Sequence, residues 1–432
     1  MVSALLFLFG IVVIVAGIGI SIGLHELGHL TAAKIFGVKV TQYFVGFGPT
    51  LWSRKKGETE YGVKALPFGG YIAMTGMFPP GPDGEQPRRG RLAELIDSAR
   101  QTSAETVQPG EEHRAFYAAD PWKRIIIMFA GPVMNLVIAV VVIGIITVGV
   151  GVPGSSTTVA SVAQCLKPAT STSQSCDSSD AASPAAAAGL RAGDKVLSVD
   201  GTPIRTFDQL SSMIEKAAGR RLTVVVERDG KQRTLHVTPV RSSKAVYDAE
   251  GHESIVETGV VGITPTTAYI RQPVSAVPGM VGDNLGRVAG IFLNLPQRMV
   301  QVWNAAFGAE ARDPNGPVGL IGVGRFAGEV ASDTSLAFTD RLEWLLSIIA
   351  ALNMSLFVFN MIPLLPLDGG HILGALWEQG KRWFFAIFRR GKTPKHVDMA
   401  RLMPITFGVV TVLIAMELLL AYADIVKPIS AG

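Results

Sequence analysis

His25-Glu26-Leu27-Gly28-His29 stands at the inner end of an apolar run, Val2 to Leu24, that is long enough to cross a bilayer. On a helix, residues i and i+4 share a face, so His25 and His29 can both turn an imidazole nitrogen toward one ion while Glu26 reaches its bound water. Zinc lowers the pKa of a bound water to about 7. Glu26 then takes that proton as a carbonyl is attacked and returns it to the leaving amine. A pattern with so few fixed positions recurs by chance in unrelated chains. Its setting argues against chance here, because two His and a Glu are expensive in lipid unless they pair with one another or bind something.

Composition agrees with a membrane protein. Hydrophobic residues make up 48% of the 432 and charged residues 17%, and the mean hydropathy is +0.35, too apolar for an ordinary soluble enzyme. The first segment has no Lys or Arg before its apolar run and is too long for a signal-peptide core, so it reads as a permanent span. Four stretches reach or approach spanning length: Val2 to Leu24, with the helix continuing to Phe36, then Ile125 to Val150, Leu342 to Ile362, and Ile405 to Tyr422.

Charge sets the orientation. Lys34, Lys39, Arg54, Lys55, Lys56, Lys64, Arg88, Arg89, Arg91 and Arg100 follow the first span, and Lys381, Arg382, Arg389, Arg390, Lys392, Lys395 and Arg401 lie between the third and fourth. Both segments are expected on the cytoplasmic side, with the termini and the long central segment outside. Cys165 and Cys176, the only two cysteines, both fall in that outward segment. They read as a disulfide closing a short loop, with a pair of free thiols as the alternative.

The third span ends in Asn360-Met361-Ile362-Pro363-Leu364-Leu365-Pro366-Leu367-Asp368-Gly369-Gly370-His371. Irregular backbone at membrane depth is tolerated only where protein or water covers it. This span runs inward, as the first does, so Asp368 is expected at the depth of His25 and His29. Two His and one carboxylate, with water in the fourth position, make a catalytic zinc shell. His371 would close that shell and exclude the water, so it is assigned a supporting role.

These three segments, together with Gly131-Pro132-Val133-Met134-Asn135 on the second span, resemble the site-2 proteases, specifically the RseP-type bacterial group with an extracytoplasmic PDZ domain. The resemblance implies an intramembrane protease with one catalytic Zn2+, held by His25, His29 and Asp368 and served by Glu26. It implies a single-span membrane substrate already trimmed by a site-1 protease, an anti-sigma factor being the expected one, in a bacterial plasma membrane. Asn360 would hold the substrate backbone or the reaction intermediate. Gly131 and Asn135 would pack or line the site, although a plain helix-helix hydrogen bond by Asn135 is an equal alternative.

The fold class expected is a polytopic α-helical membrane protein with four transmembrane helices, a membrane-associated cytoplasmic β-hairpin and an extracytoplasmic α+β PDZ domain. Its order is a first span over 1–37, a β-element over 38–75, a cytoplasmic loop over 76–121, and a second span over 122–152. A PDZ domain over 155–265, an interfacial amphipathic segment over 278–335, a third span over 340–376 and a fourth over 402–424 follow. The β-element rests on short β-type runs divided by glycines and Pro67; its strand edge would receive an unwound substrate by β-addition. In the loop, one short helix is expected from Arg91 to Arg100. The PDZ reading rests on Pro184 to Ile204, with its Gly189 turn and Asp200-Gly201 hairpin, and on Asp229-Gly230 between two strand-like runs. Such a domain would bind a peptide or substrate ectodomain, or exclude bulky substrates by size. Glu417 in the last span reads as structural or as part of a gate.

An inactive adaptor would have no need of Glu26 between two ligands, and a zinc transporter would need polar residues on both sides of the ion. The partners expected are therefore a membrane-protein substrate and the lipid bilayer, with no nucleic acid.

Overall fold

The computed structural model describes residues 2–80, 90–166, 176, 180–247, 253–314, 316–388 and 396–429. The chain forms two compact units, Met1–Thr147 with Pro273–Gly432, and Val148–Gln272.

In the first unit, α1 (Val2–Ile35) is followed by β1 (Val40–Lys56), β2 (Thr59–Met74), α2 (Arg91–Glu105) and α3 (Pro121–Gly144). Helices Val2–Ile35, Pro121–Val150, Phe338–Asn360 and Met399–Val426 are long and apolar enough to cross a membrane, which makes this a polytopic membrane protein. Only a helix satisfies its own backbone in such apolar runs. Helix α1 packs on α3. Below the histidines, Leu30, Ala33, Val40, Phe116, Ile127 and Ile372 form one core that ties α1, β1 and α3 together.

The β-element is more folded than its short runs suggested. β1 and β2 each bend at glycines, so residues 40–45 pair on one side with 70–74 and on the other with 60–63, while 50–56 pair with 59–64. Segment 70–74 is therefore an outer edge of this small sheet. Helix α2 runs to Glu105, beyond the expected end at Arg100, because Ser103 is anchored through its hydroxyl to both backbone groups of Phe78.

Segment 278–335 forms α6 (Val277–Leu293), α7 (Leu295–Phe307) and α8 (Leu320–Ser332). The small face of α8, with Ala327, Gly328 and Ala331, lies against α1. The expected third span over 340–376 is two helices. α9 (Phe338–Asn360) stops, residues 361–367 turn through a cis Leu365-Pro366 peptide, and α10 (Asp368–Phe388) starts afresh. Pro363 and Pro366 have no N–H to continue the ladder. α11 (Met403–Val426) completes the unit.

The second unit is built on an open sheet. Its elements are β3 (Val152–Val162), α4 (Pro184–Ala187), β4 (Lys195–Val199), β5 (Thr202–Pro203), α5 (Phe207–Glu215), β6 (Leu222–Arg228) and β7 (Lys231–Val237), then β8 (Val240–Tyr247), β9 (Glu253–Val260) and β10 (Ile263–Ile270). The order β10-β3-β4-β6-β7 leaves β10 on the outside, and β8 with β9 forms a separate hairpin that the sequence reading did not anticipate. Asp200 and Asp229 have φ of 49° and 52°, each followed by a glycine at positive φ, the paired left-handed residues of a tight two-residue hairpin. Val196, Val199, Leu210, Leu222 and Val226 fill the core. Cys165 and Cys176 are disulfide-bonded, with Cα atoms 5.9 Å apart.

Candidate metal centre

The i, i+4 spacing on α1 brings the two imidazoles together, and the turn after α9 delivers Asp368 as the first residue of α10. Nε2 of His25 and Nε2 of His29 lie 3.1 Å apart. They lie 3.3 Å and 3.4 Å from the two Asp368 oxygens. A tetrahedral zinc with bonds of about 2.0–2.1 Å separates its ligand atoms by about 3.3 Å, close to the spacing of each nitrogen from the other and from its own oxygen of the Asp368 carboxylate. The donor set is also right, and Asp368 Oδ2 is buried without a hydrogen-bond partner.

Helix α3 orients both rings. Nδ1–H of His29 donates to the carbonyl of Ile127 at 2.7 Å, which leaves Nε2 bare for a metal. The Asn135 amide lies 3.0 Å from Nδ1 of His25 and is 1% exposed. Amide oxygen and nitrogen are equivalent in shape, and the orientation that turns oxygen to the ring lets His25 Nδ1–H donate and bares its Nε2 as well. One turn before Asn135, a side chain at Gly131 would collide with the His29 ring. Gly131 thus makes room for the imidazole.

Glu26, half-buried, follows His25 and passes against the hairpin. A β carbon at Gly70 would lie 3.1 Å from Glu26 Cγ. Asn360 ends α9, across the turn from Asp368. His371 stands edge-on to Phe116, with ring centroids 6.3 Å apart, outside the ligand triangle.

Three polar features escaped the sequence reading. Glu378 on α10 is fully buried, and Arg124 of α3 at 2.5 Å, Arg382 at 3.0 Å, His396 at 3.0 Å and the Val397 amide at 3.1 Å all converge on it. An acid in an apolar helix is the signal that was available. Asn353 of α9 donates to Ser21 of α1 at 2.9 Å, one turn before His25. Asp424 of α11 accepts from the Gly319 and Gly322 amides at 3.0 and 2.8 Å and so caps α8, with Arg312 at 2.6 Å. Glu417 reaches the Leu320 amide at 3.3 Å.

Peptide-bond hydrolysis is the chemistry for which two imidazoles, a carboxylate and an adjacent glutamate are suited, and their place among spanning helices makes the chain an intramembrane zinc metalloendopeptidase. The chain belongs to peptidase family M50, which it matches over residues 13–387. It is 33% identical to the zinc metalloprotease Rip1 of Mycobacterium tuberculosis over 98% of this chain and 99% of that protein. The corresponding figures are 32%, 99% and 99% for Rip1 of Mycolicibacterium smegmatis, and 28%, 88% and 86% for the metalloprotease MmpA of Caulobacter vibrioides.

Proposed function

We propose that the protein cuts a peptide bond within the transmembrane segment of a single-span membrane protein, after a site-1 protease has trimmed it. The observation that carries this reading is the edge segment 70–74 beside Glu26. A transmembrane helix hides its own amides, so cleavage needs an unwound stretch, and an unpaired strand edge gives that stretch hydrogen-bond partners by β-addition.

His25, His29 and Asp368 would hold a single zinc ion, which would supply a Lewis acid and a water acidic enough to attack at neutral pH. Glu26, next to His25, is the group placed to take up a proton and return it to the departing amide nitrogen. Asn360 holds the substrate backbone beside the 361–367 turn. Gly131, Asn135 and the Ile127 carbonyl keep the two imidazoles in place.

The basic residues after α1 and around α10 orient the protein with the centre toward the cytoplasmic face of a bacterial plasma membrane and with Val148–Gln272 and both termini outside. We assign Val148–Gln272 as a PDZ-type domain whose outer strand β10 offers an edge to a peptide from the substrate ectodomain. The resemblance of its motifs to the RseP-type group supports an anti-sigma factor as substrate, and so transcriptional control.

The test is Glu26→Gln in purified full-length protein. Zinc content is expected to be unchanged, and cleavage of a tethered single-span substrate to fall by about a thousandfold, within the range of general acid–base catalysis. Undiminished cleavage would overturn the mechanism.

A further inference from the structure

Helix α10 has two faces of opposite kind. Ile372, Ala375 and Glu378 are buried, Glu378 against Arg124 of α3. On the other side Leu373, Leu376, Trp377, Trp383, Phe384 and Phe388 are each at least 51% exposed. At 100° per residue these six fall on one stripe, about 24 Å long. Such a surface on a soluble protein would be an aggregation hazard; here Leu402, just before α11, and Ile405 on α11 are exposed too.

The stripe borders a cavity. Leu364, Leu373, Trp377, Met399, Leu402 and Ile405 enclose about 380 Å³ between the turn, α10 and the start of α11. Leu373 and Trp377 lie roughly opposite Asp368 around the helix, so the cavity opens away from the metal centre and cannot receive a residue of the bond being cut. It is open on one side and its lining is almost wholly apolar, which suits a flexible hydrocarbon chain. Taking a methylene at roughly the 30 Å³ of a liquid water molecule, the cavity admits about a dozen, most of one acyl chain.

A charge stands beside it. The ammonium of Lys381 lies over the Trp377 ring, 5.9 Å from its centroid, and has no carboxylate partner among the described residues. Lys123 sits in the same way over Trp122 at the start of α3, 5.6 Å away. Tryptophan with a basic neighbour marks the level at which a bilayer meets water.

We propose that the α10–α11 groove is a binding site for an anionic phospholipid of the leaflet on the Lys123 and Lys381 side, with one acyl chain in the cavity and the phosphate at Lys381. This goes beyond the cleavage reading and depends only on the spans. Full-length protein purified in mild detergent is examined by native mass spectrometry after exchange into mixed phosphatidylglycerol and phosphatidylcholine of identical chains, with zinc content measured alongside. Wild type is expected to retain one phosphatidylglycerol. Leu402→Trp narrows the cavity and lowers retention of that lipid, while Lys381→Ala lowers the preference for phosphatidylglycerol about fivefold, the factor one basic residue contributes at an anionic surface. Wild type that retains no lipid, equal retention by Leu402→Trp, no headgroup preference, or a second copy of the chain in place of lipid would each overturn the proposal. If Leu402→Trp also loses zinc, wild type and Trp377→Phe are compared instead. Brominated-chain phosphatidylglycerol must then quench the wild type more, and equal quenching would overturn the site.

Discussion

Gly131 and Asn135 show how much of a metal centre resides in residues that never touch the metal. Both lie on α3 and act on α1, the glycine by leaving space for the His29 ring and the amide by holding His25. Gly131→Ala puts a methyl group into that ring, so zinc affinity is expected to fall by about 10- to 100-fold, the usual cost of disturbing a ligand's support; competition with a chelator of known affinity measures it. Asn135 makes a sharper distinction. If its oxygen accepts from His25 Nδ1–H, Asn135→Asp keeps the acceptor and retains zinc, whereas Asn135→Leu loses about as much as Gly131→Ala. Equal loss in both variants would mean that Asn135 only packs. The GxxxN spacing was visible in the sequence, but its purpose was not, because it depends on which turn of α3 passes His29.

Among the elements, α10 carries Asp368 at one end and is fixed by Glu378 further along. Removing one partner of a buried ion pair costs about 3 kcal/mol, so Glu378→Ala should lower the thermal midpoint and loosen zinc together, while a surface change such as Gln379→Ala should do neither. In the second unit Asp194 is fully buried and takes a fork from Arg228, at 2.6 and 2.7 Å. Burial alone would raise its pKa, but the hydrogen bonds from Arg228 and the Arg191 amide outweigh it and hold the carboxyl below its ordinary value. A depressed carboxyl stabilises the fold above its unfolded value of about 3.9 and loses that contribution as pH falls through the folded value. Amide protection in β4 and β6 of the full-length protein, taken relative to the intrinsic exchange rate at each pH, should therefore be high above about pH 5 and fall below about pH 4, and Asp194→Ala should remove the acid dependence. The spans of α1, α3, α9 and α11 were legible because a bilayer demands length and apolarity, which are local properties. The hairpins at Asp200-Gly201 and Asp229-Gly230 were legible for the same reason. The break between α9 and α10 was half-legible in Pro363 and Pro366. The Glu378 cluster was not, since its partners come from residues 124, 382, 396 and 397, and the β8–β9 hairpin carries no turn signal that the reading used.

For the whole molecule, the proposed activity predicts a cellular signature. Replacing the native protein with Glu26→Gln should leave membrane-embedded stubs of its substrate to accumulate, and quantitative membrane proteomics would find them; an unchanged stub population would place the activity elsewhere. The ligand set has one more consequence, in time rather than space. His25 and His29 enter the membrane with α1, but Asp368 belongs to α10, more than 300 residues later, and α11 and the basic connection before it come later still. A ribosome must therefore finish most of the chain before the third donor exists. Until then the growing polypeptide holds two of its three metal donors, and membrane proteins inserted beside it meet an incomplete centre.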